Sequence, residues 1–234
     1  MARPDKEKIR YGNFKKPTFV MVLITYGMLP VEFLHAFSRL QLPVNSSSTL
    51  LSYKSMEIGV ARCKAMQDIL SMPLVPIYTL WLSDDELPNW DALVKLWMEM
   101  ESSWSNGKRG WDILTSLVYL KSEPPEPVLW NKSIREVGPL IPGEDFKVGD
   151  IIEADVGDLG FGLMRNDLFE RLDISHPYFK TGFVTREMSG DREAVTCFTE
   201  DCYFFDKLHK AGGRLGVNTG VRTSHLDMKS GVIY

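Results

Sequence analysis

With 234 residues, a hydrophobic fraction of 44% and a charged fraction of 25%, the chain has the make-up of one globular α/β domain, with little room for a second. Its 27 basic and 31 acidic residues give a net charge of −4, which supplies no global basic field, so no nucleic-acid partner is expected. Cys63, Cys197 and Cys202 form neither a disulfide framework nor a zinc spacing, which points to a reducing, cytoplasmic compartment.

Residues 1–16 read as a basic, solvated tail. It lacks the apolar stretch of a signal peptide, and peripheral contact with an anionic membrane is its functional alternative. The longest uncharged runs, Pro17 to Val31 and Ile69 to Ser83, contain proline and fall short of the roughly 20 apolar residues of a spanning helix. No transmembrane segment is expected, and the sequons at Asn45 and Asn131 carry no weight.

Residues 17–227 form the predicted domain. Thr18 to Thr25 is continuously apolar and β-branched, as in a strand buried on both faces, and it breaks at Thr25-Tyr26-Gly27. A helix follows over Val31 to Leu40, then a short strand over Thr49 to Tyr53. Glu57 to Leu70 has the helical period through Ile58, Ala61, Ala65 and Ile69, and Pro73 and Pro76 end it. Ile77 to Leu82 is the next buried strand, and Asp84-Asp85-Glu86 follows it directly.

Trp90 to Ser102 is an amphipathic helix with Leu93, Leu96, Trp97 and Met100 on one side. Tryptophans at 90, 97, 104 and 111 recur every seven residues, which core packing explains. Ile113 to Leu120 reads as a strand and 122–150 as a proline- and charge-rich insertion without a core of its own. A glycine-rich stretch, Asp158-Leu159-Gly160-Phe161-Gly162-Leu163-Met164, precedes a short helix from Asp167 to Leu172. Residues 176–195, centred on Ser189-Gly190-Asp191-Arg192-Glu193, have the composition of a mobile loop. Glu200 to Ala211 is helical and stopped by Gly212-Gly213; Leu215 to Val221 is a last strand, His225 lies beyond it, and 228–234 form a C-terminal tail.

Three places carry chemistry. Adjacent carboxylates at a strand end repel unless a cation neutralises them, so Asp84-Asp85-Glu86 is a candidate metal site, with a helix N-terminus after Pro88 as the bland alternative. Thr199-Glu200-Asp201 reads either as a capped helix start or as a base aimed into a cleft. His225 alone is more often structural. Neither GxGxxG nor the phosphate-loop pattern is present, so Gly160 and Gly162 suggest close approach of a substrate to the backbone.

In order, these pieces resemble the GT-A glycosyltransferases of the family-two kind. The resemblance runs from about Phe19 to Asp227. It rests on Thr25-Tyr26-Gly27, Val60-Ala61-Arg62, Leu82-Ser83-Asp84-Asp85 with Pro88 and Asp91-Ala92-Leu93, Gly160-Phe161-Gly162-Leu163-Met164, Thr199-Glu200-Asp201-Cys202-Tyr203-Phe204-Phe205 and His225. It implies a Rossmann-like, mostly parallel sheet flanked by helices in a single domain. It also implies sugar transfer from a nucleoside-diphosphate sugar to a hydroxyl on a glycan, lipid-linked, protein or small-molecule acceptor.

The same resemblance assigns Thr25, Tyr26, Gly27, Arg62, Ser83 and Asp84 to the donor, and Gly160, Phe161 and Gly162 to the acceptor side. Asp85, His225 and Glu86 would hold Mn2+ or Mg2+, and Asp201, with Glu200, would take the acceptor proton. Ser83 departs from the family pattern, which usually has aspartate there, and this leaves Asp85 as the foremost metal ligand. A metal-dependent nucleotidyltransferase and a non-catalytic sugar- or nucleotide-binding module are the rival readings.

Overall fold

The computed structural model describes residues 17–105, 109–136, 138–187 and 193–234, with 183–187 and 193–198 described through their backbone. Strand β1 (Thr18–Thr25) lies between β2 (Ser47–Lys54) and β3 (Tyr78–Ser83), parallel to both. Its side chains leave the sheet alternately: Val20 and Val22 enter one core, and Phe19, Met21 and Leu23 the other. Burial on both faces is why the run is apolar without alternation.

The remaining strands are β4 (Glu86–Pro88), β5 (Ile113–Leu117), β6 (Ile151–Glu153), β7 (Phe161–Arg165), β8 (Gly182–Glu187), β9 (Glu193–Phe198) and β10 (Leu215–His225). The main sheet has the order β2-β1-β3-β7-β5-β10-β4, with β6 also on β10. Because β7 is antiparallel to both β3 and β5, strands β2, β1, β3, β5 and β10 point one way and β4, β6 and β7 oppose them. The sheet is therefore mixed and mostly parallel.

Helices α1 (Val31–Arg39), α2 (Ile58–Leu70), α3 (Ala92–Ser105), α4 (Leu168–Arg171) and α5 (Glu200–Lys210) cover it. On one face α2 contributes Ala61, Ala65, Met66 and Ile69, and α5 contributes Phe204, Phe205 and Leu208. On the other, Phe33 of α1 packs with Leu93, Leu96 and Met100 of α3. These are fully buried side chains, and truncating one such as Leu96 to alanine costs about 2–5 kcal/mol. Trp97, Trp104 and Trp111 pack against this second core, whereas Trp90 precedes α3 and is half exposed. No helix among the described residues is long and apolar enough to cross a membrane.

Three segments differ from expectation. The stretch expected as a loop over 176–195 carries most of an antiparallel hairpin, β8–β9, with Gly182 opposite Phe198 and Glu187 opposite Glu193. Residues 188–192, the centre of the expected loop, lie outside the described residues, as does the basic stretch 1–16. Segment 122–150 sends Leu129, Leu140 and Phe146 into the main core. Residues 228–234 turn back instead of trailing away: Leu226 pairs with Ile233, and His225 and Tyr234 exchange backbone hydrogen bonds of 3.0 and 2.9 Å.

Candidate functional site

The carboxyl ends of β1, β3 and β10 converge on a cavity of about 290 Å3. Open α/β sheets bind ligands at that edge, because the strands deliver side chains there from rigid supports. Thr25 and Tyr26 come from the end of β1; Ser83, Asp84, Asp85 and Glu86 from β3 and the turn into β4. Arg62 comes from α2, Asp158 from the connection before β7, Glu200 and Asp201 from the first turn of α5, and His225 from the end of β10.

A larger cavity of about 680 Å3 lies at the other end of β3, around Tyr78 and Arg165. There Glu101 accepts from Tyr78 and pairs with Arg165 at 3.3 Å. This cavity brings together none of the expected site residues.

Asp84 and Asp85 form the turn between β3 and β4, and β4 pairs with β10 so that Glu86 stands opposite His225. The cluster is thus not the start of a helix. This pairing brings His225 Nε2 to 3.2 Å from Asp85 Oδ2, and Lys121 Nζ lies 2.6 Å from the same oxygen. Burial works against ionisation of Asp85, but the hydrogen bonds from His225 and Lys121 outweigh it and hold its pKa at about 2.

His225 Nδ1 lies 3.0 Å from the carbonyl oxygen of Tyr119. A carbonyl only accepts, so Nδ1 carries the proton. In the neutral ring, Nε2 then turns a lone pair towards the Asp85 carboxylate. Two facing acceptors are satisfied by a proton on Nε2 or by a cation, and a histidine anchored on a carbonyl by its other nitrogen is the usual arrangement of a metal ligand. Asp85 and His225 therefore fit a divalent cation that takes its other ligands from outside the protein, the ordinary way Mg2+ is held.

The third expected ligand does not join them. Glu86 is 3% exposed, and burial, followed by the neighbouring charges of Asp158 and Asp85, raises its pKa well above the carboxylate range. Its Oε2 has no hydrogen-bond partner among the described residues, and a Cβ on Gly160 would fall 1.3 Å from its Oε1. Gly160 is glycine because Glu86 fills the space of a side chain. Among the described residues, no three His, Cys, Asp or Glu side chains form a metal cage by themselves.

A second charged cluster borders the same cavity. Arg62, 3% exposed, pairs with Asp201 and, at 3.2 Å, with Glu200. Its guanidinium also lies 5.6 Å from the Trp81 ring and 5.8 Å from that of Phe179. Burial lowers its pKa, and the charges of Glu200 and Asp158 oppose that shift. Asp201 Oδ2 accepts a long 3.4 Å hydrogen bond from Leu159 N–H. Thr199 occupies the N-cap position of α5 without a side-chain capping hydrogen bond, and Glu200 and Asp201 fall in the first turn, as the capped-start reading also expects.

No family model matches the sequence, and no curated protein matches it. Solved structures do. The crystal structure of A197 from STIV aligns with a TM-score of 0.58 at 16% identity, over 90% of this chain and 86% of that one. GalNAc-T7 with UDP, GalNAc and Mn2+ aligns with a TM-score of 0.57 at 11% identity, over 92% of this chain and 44% of that one. The chain has the GT-A fold.

The GT-A fold gathers most of the expected site residues and excludes others. Thr25, Tyr26, Arg62, Ser83, Asp84, Asp85, Glu86, Glu200, Asp201 and His225 all line the cavity. Tyr26, 84% exposed, stands at its rim, and Gly27 beside it turns the chain with φ +125°. Arg62 faces buried acids, so its charge is already committed when a donor arrives. Phe161 and Gly162, expected beneath an acceptor, belong to β7 instead. Phe161 is 1% exposed, and a Cβ at Gly162 would meet Leu159 at 3.1 Å and Thr115 at 3.2 Å.

Two functional candidates escape sequence reasoning. Lys121 begins a charge-rich stretch whose composition suggests only an insertion. Asp158 opens the glycine-rich stretch, and its carboxylate meets Gly160 N–H at 3.2 Å. Isolated residues of this kind leave no periodic signal.

Proposed function

We propose that the chain transfers a sugar from a nucleoside-diphosphate sugar to a hydroxyl acceptor, with a divalent cation, Mn2+ or Mg2+, held by Asp85 and His225. The observation that carries the reading is the meeting of Asp85 and His225, 140 residues apart, beside Asp201 at the ligand-binding edge of a GT-A fold. GalNAc-T7, a neighbour of the same fold, was crystallised with UDP, GalNAc and Mn2+, which supports this donor class and metal.

In this reading the bound cation supplies charge that stabilises the departing diphosphate, an effect worth several kcal/mol. Thr25, Tyr26, Ser83 and Asp84 border the donor, with Ser83 serving where an aspartate would be more usual. Asp201 takes the proton of the acceptor hydroxyl on Oδ2, while Arg62 holds Oδ1 and fixes the carboxylate's direction. A guanidinium weakens a carboxylate as a base; Arg62 pairs directly with Asp201 and acts on Asp158 only through its charge, so Asp158 is the carboxylate against which Asp201 must be compared.

Release of free nucleoside diphosphate from a panel of donors, with Mn2+, with Mg2+ and with chelator, tests the proposal. A nucleotidyltransferase would release pyrophosphate instead, and a binding module would release nothing. Asp201→Asn should depress turnover by about 10²-fold or more while donor affinity holds, because a base acts in the transition state. If Asp158→Asn produces that pattern and Asp201→Asn does not, the base assignment is wrong and Asp201 serves only Arg62.

A further inference from the structure

We propose that Lys121 is a resident counter-ion, occupying the cation position on Asp85 until metal and diphosphate arrive and then carrying its charge to the diphosphate. The proposal rests on the reading of Asp85 and His225 as the metal-holding pair. Its basis is a shared atom: Lys121 Nζ and His225 Nε2 both meet Asp85 Oδ2, at 2.6 and 3.2 Å.

The backbone explains why Lys121 is there. Residues 118–128 form a narrow hairpin, with Val128 N–H donating to the Val118 carbonyl at 2.9 Å and Leu120 N–H to the Glu126 carbonyl at 2.8 Å. From this one hairpin, the Tyr119 carbonyl holds His225 Nδ1 and the Lys121 ammonium holds Asp85. One segment thus touches both members of the pair, through a fixed backbone atom and a flexible side chain.

A divalent cation between Asp85 and His225 would meet that ammonium on the same oxygen. Two positive charges so close repel strongly in a partly desolvated site. The Lys121 side chain is 27% exposed and ends a four-carbon stem, so it can leave while the hairpin stays. The Tyr119 carbonyl, by contrast, is undisturbed by a cation and keeps Nε2 available. The phosphates that complete the cation's shell bring fresh negative charge within reach of the released ammonium, a compact phosphate-binding group.

Two effects of opposite sign follow for removal of the ammonium. Metal alone should bind more tightly, since its competitor is gone. Pyrophosphate in the presence of metal should bind less tightly, since a phosphate contact is gone. A merely structural lysine would weaken both or neither.

The test uses the full chain without nucleotide, and reads free Mn2+ by electron paramagnetic resonance and inorganic pyrophosphate by calorimetry. Lys121→Met should bind Mn2+ about three- to tenfold more tightly than the wild type, the range expected from loss of one half-exposed ion pair. Pyrophosphate affinity with Mn2+ present should fall by a similar factor. Lys121→Arg, which keeps the charge, should track the wild type in the Mn2+ titration, and Lys121→Gln should repeat the methionine result if that variant folds poorly. Equal or weaker Mn2+ binding by Lys121→Met and Lys121→Gln, where binding still depends on Asp85, would overturn the counter-ion role and leave the metal site standing. Mn2+ binding that is indifferent to Asp85→Asn in every background would overturn both.

Discussion

Arg62 and Lys121 each neutralise carboxylates beside one cavity, and the contrast between them separates built charge from exchangeable charge. Arg62 is buried among Glu200, Asp201, Trp81 and Phe179, where water cannot replace it. Lys121 is partly exposed on a hairpin, pairs directly with Asp85 and acts on Asp227 through its charge. Taking a partner from a buried cluster strands a charge in a medium of low polarisability, whereas taking one from a half-exposed pair lets water fill in. The first cluster therefore fixes the floor of the site, and the second leaves it open to a cation brought from outside.

The sharpest way to break this contrast is stability. Arg62→Met should destabilise the fold by about 3–5 kcal/mol, because Glu200 stays buried and Asp201 half-buried without their cation. Lys121→Met should cost no more than about 1 kcal/mol. Denaturant midpoints of the two variants measure the difference. Similar small losses would mean that Arg62 is hydrated and that the buried cluster is not the fixed element.

The two clusters also differ in how far the sequence discloses them. Strands β1 and β3 are legible because burial on both faces leaves an unbroken apolar run, and α2 because Ile58, Ala61, Ala65 and Ile69 recur on one face. Asp85, Asp201 and His225 can be placed in one site only through the order of short pieces along the chain. Arg62 reads as a donor contact because its partners are made by packing α2 against α5, which no local pattern records. Lys121 escapes notice for a similar reason: the β4–β10 pairing and the 118–128 hairpin are both beyond local reach. The start of β7 reads as a glycine loop since Gly160 and Gly162 look like breaks; in the fold each glycine makes room for a neighbour, Glu86 at one and Leu159 with Thr115 at the other. The β8–β9 segment carries the polar sequence Ser189-Gly190-Asp191-Arg192-Glu193 at its centre, and that composition alone describes a loop.

Chemistry offers a second, smaller effect. Asp85→Ala should lower turnover by about 10²-fold or more, the scale of losing electrostatic stabilisation at a leaving group. Its stability should change little by comparison, which is the reverse of Arg62→Met. Full turnover of the wild type in excess chelator, or of Asp85→Ala with metal, would remove the exchangeable cation from the mechanism.

Acid titration should show the smallest effect and sets Asp85 against its neighbour Glu86. Asp85 has a folded pKa of about 2 against an ordinary 3.8, so its contribution is present above pH 4 and is lost as the pH falls towards 2. A pKa difference of one between folded and unfolded chain is worth about 1.4 kcal/mol, so that contribution is at most about 2 kcal/mol. Glu86 is displaced the other way, first by burial and then by Asp158. The unfolded chain gives up the Glu86 proton near its ordinary 4.5 while the folded chain keeps it, so this residue makes stability fall as the pH rises beyond that value. Asp85→Asn should therefore flatten the acid limb of the stability curve below pH 4, and Glu86→Gln should gain on the wild type as the pH rises from about 5 to about 7. Urea midpoints measured from about pH 3 to about pH 7 decide it. Two variants that move in the same direction would mean that Asp85 and Glu86 share one environment, and that the border between the exchangeable and the fixed cluster does not run between these adjacent residues.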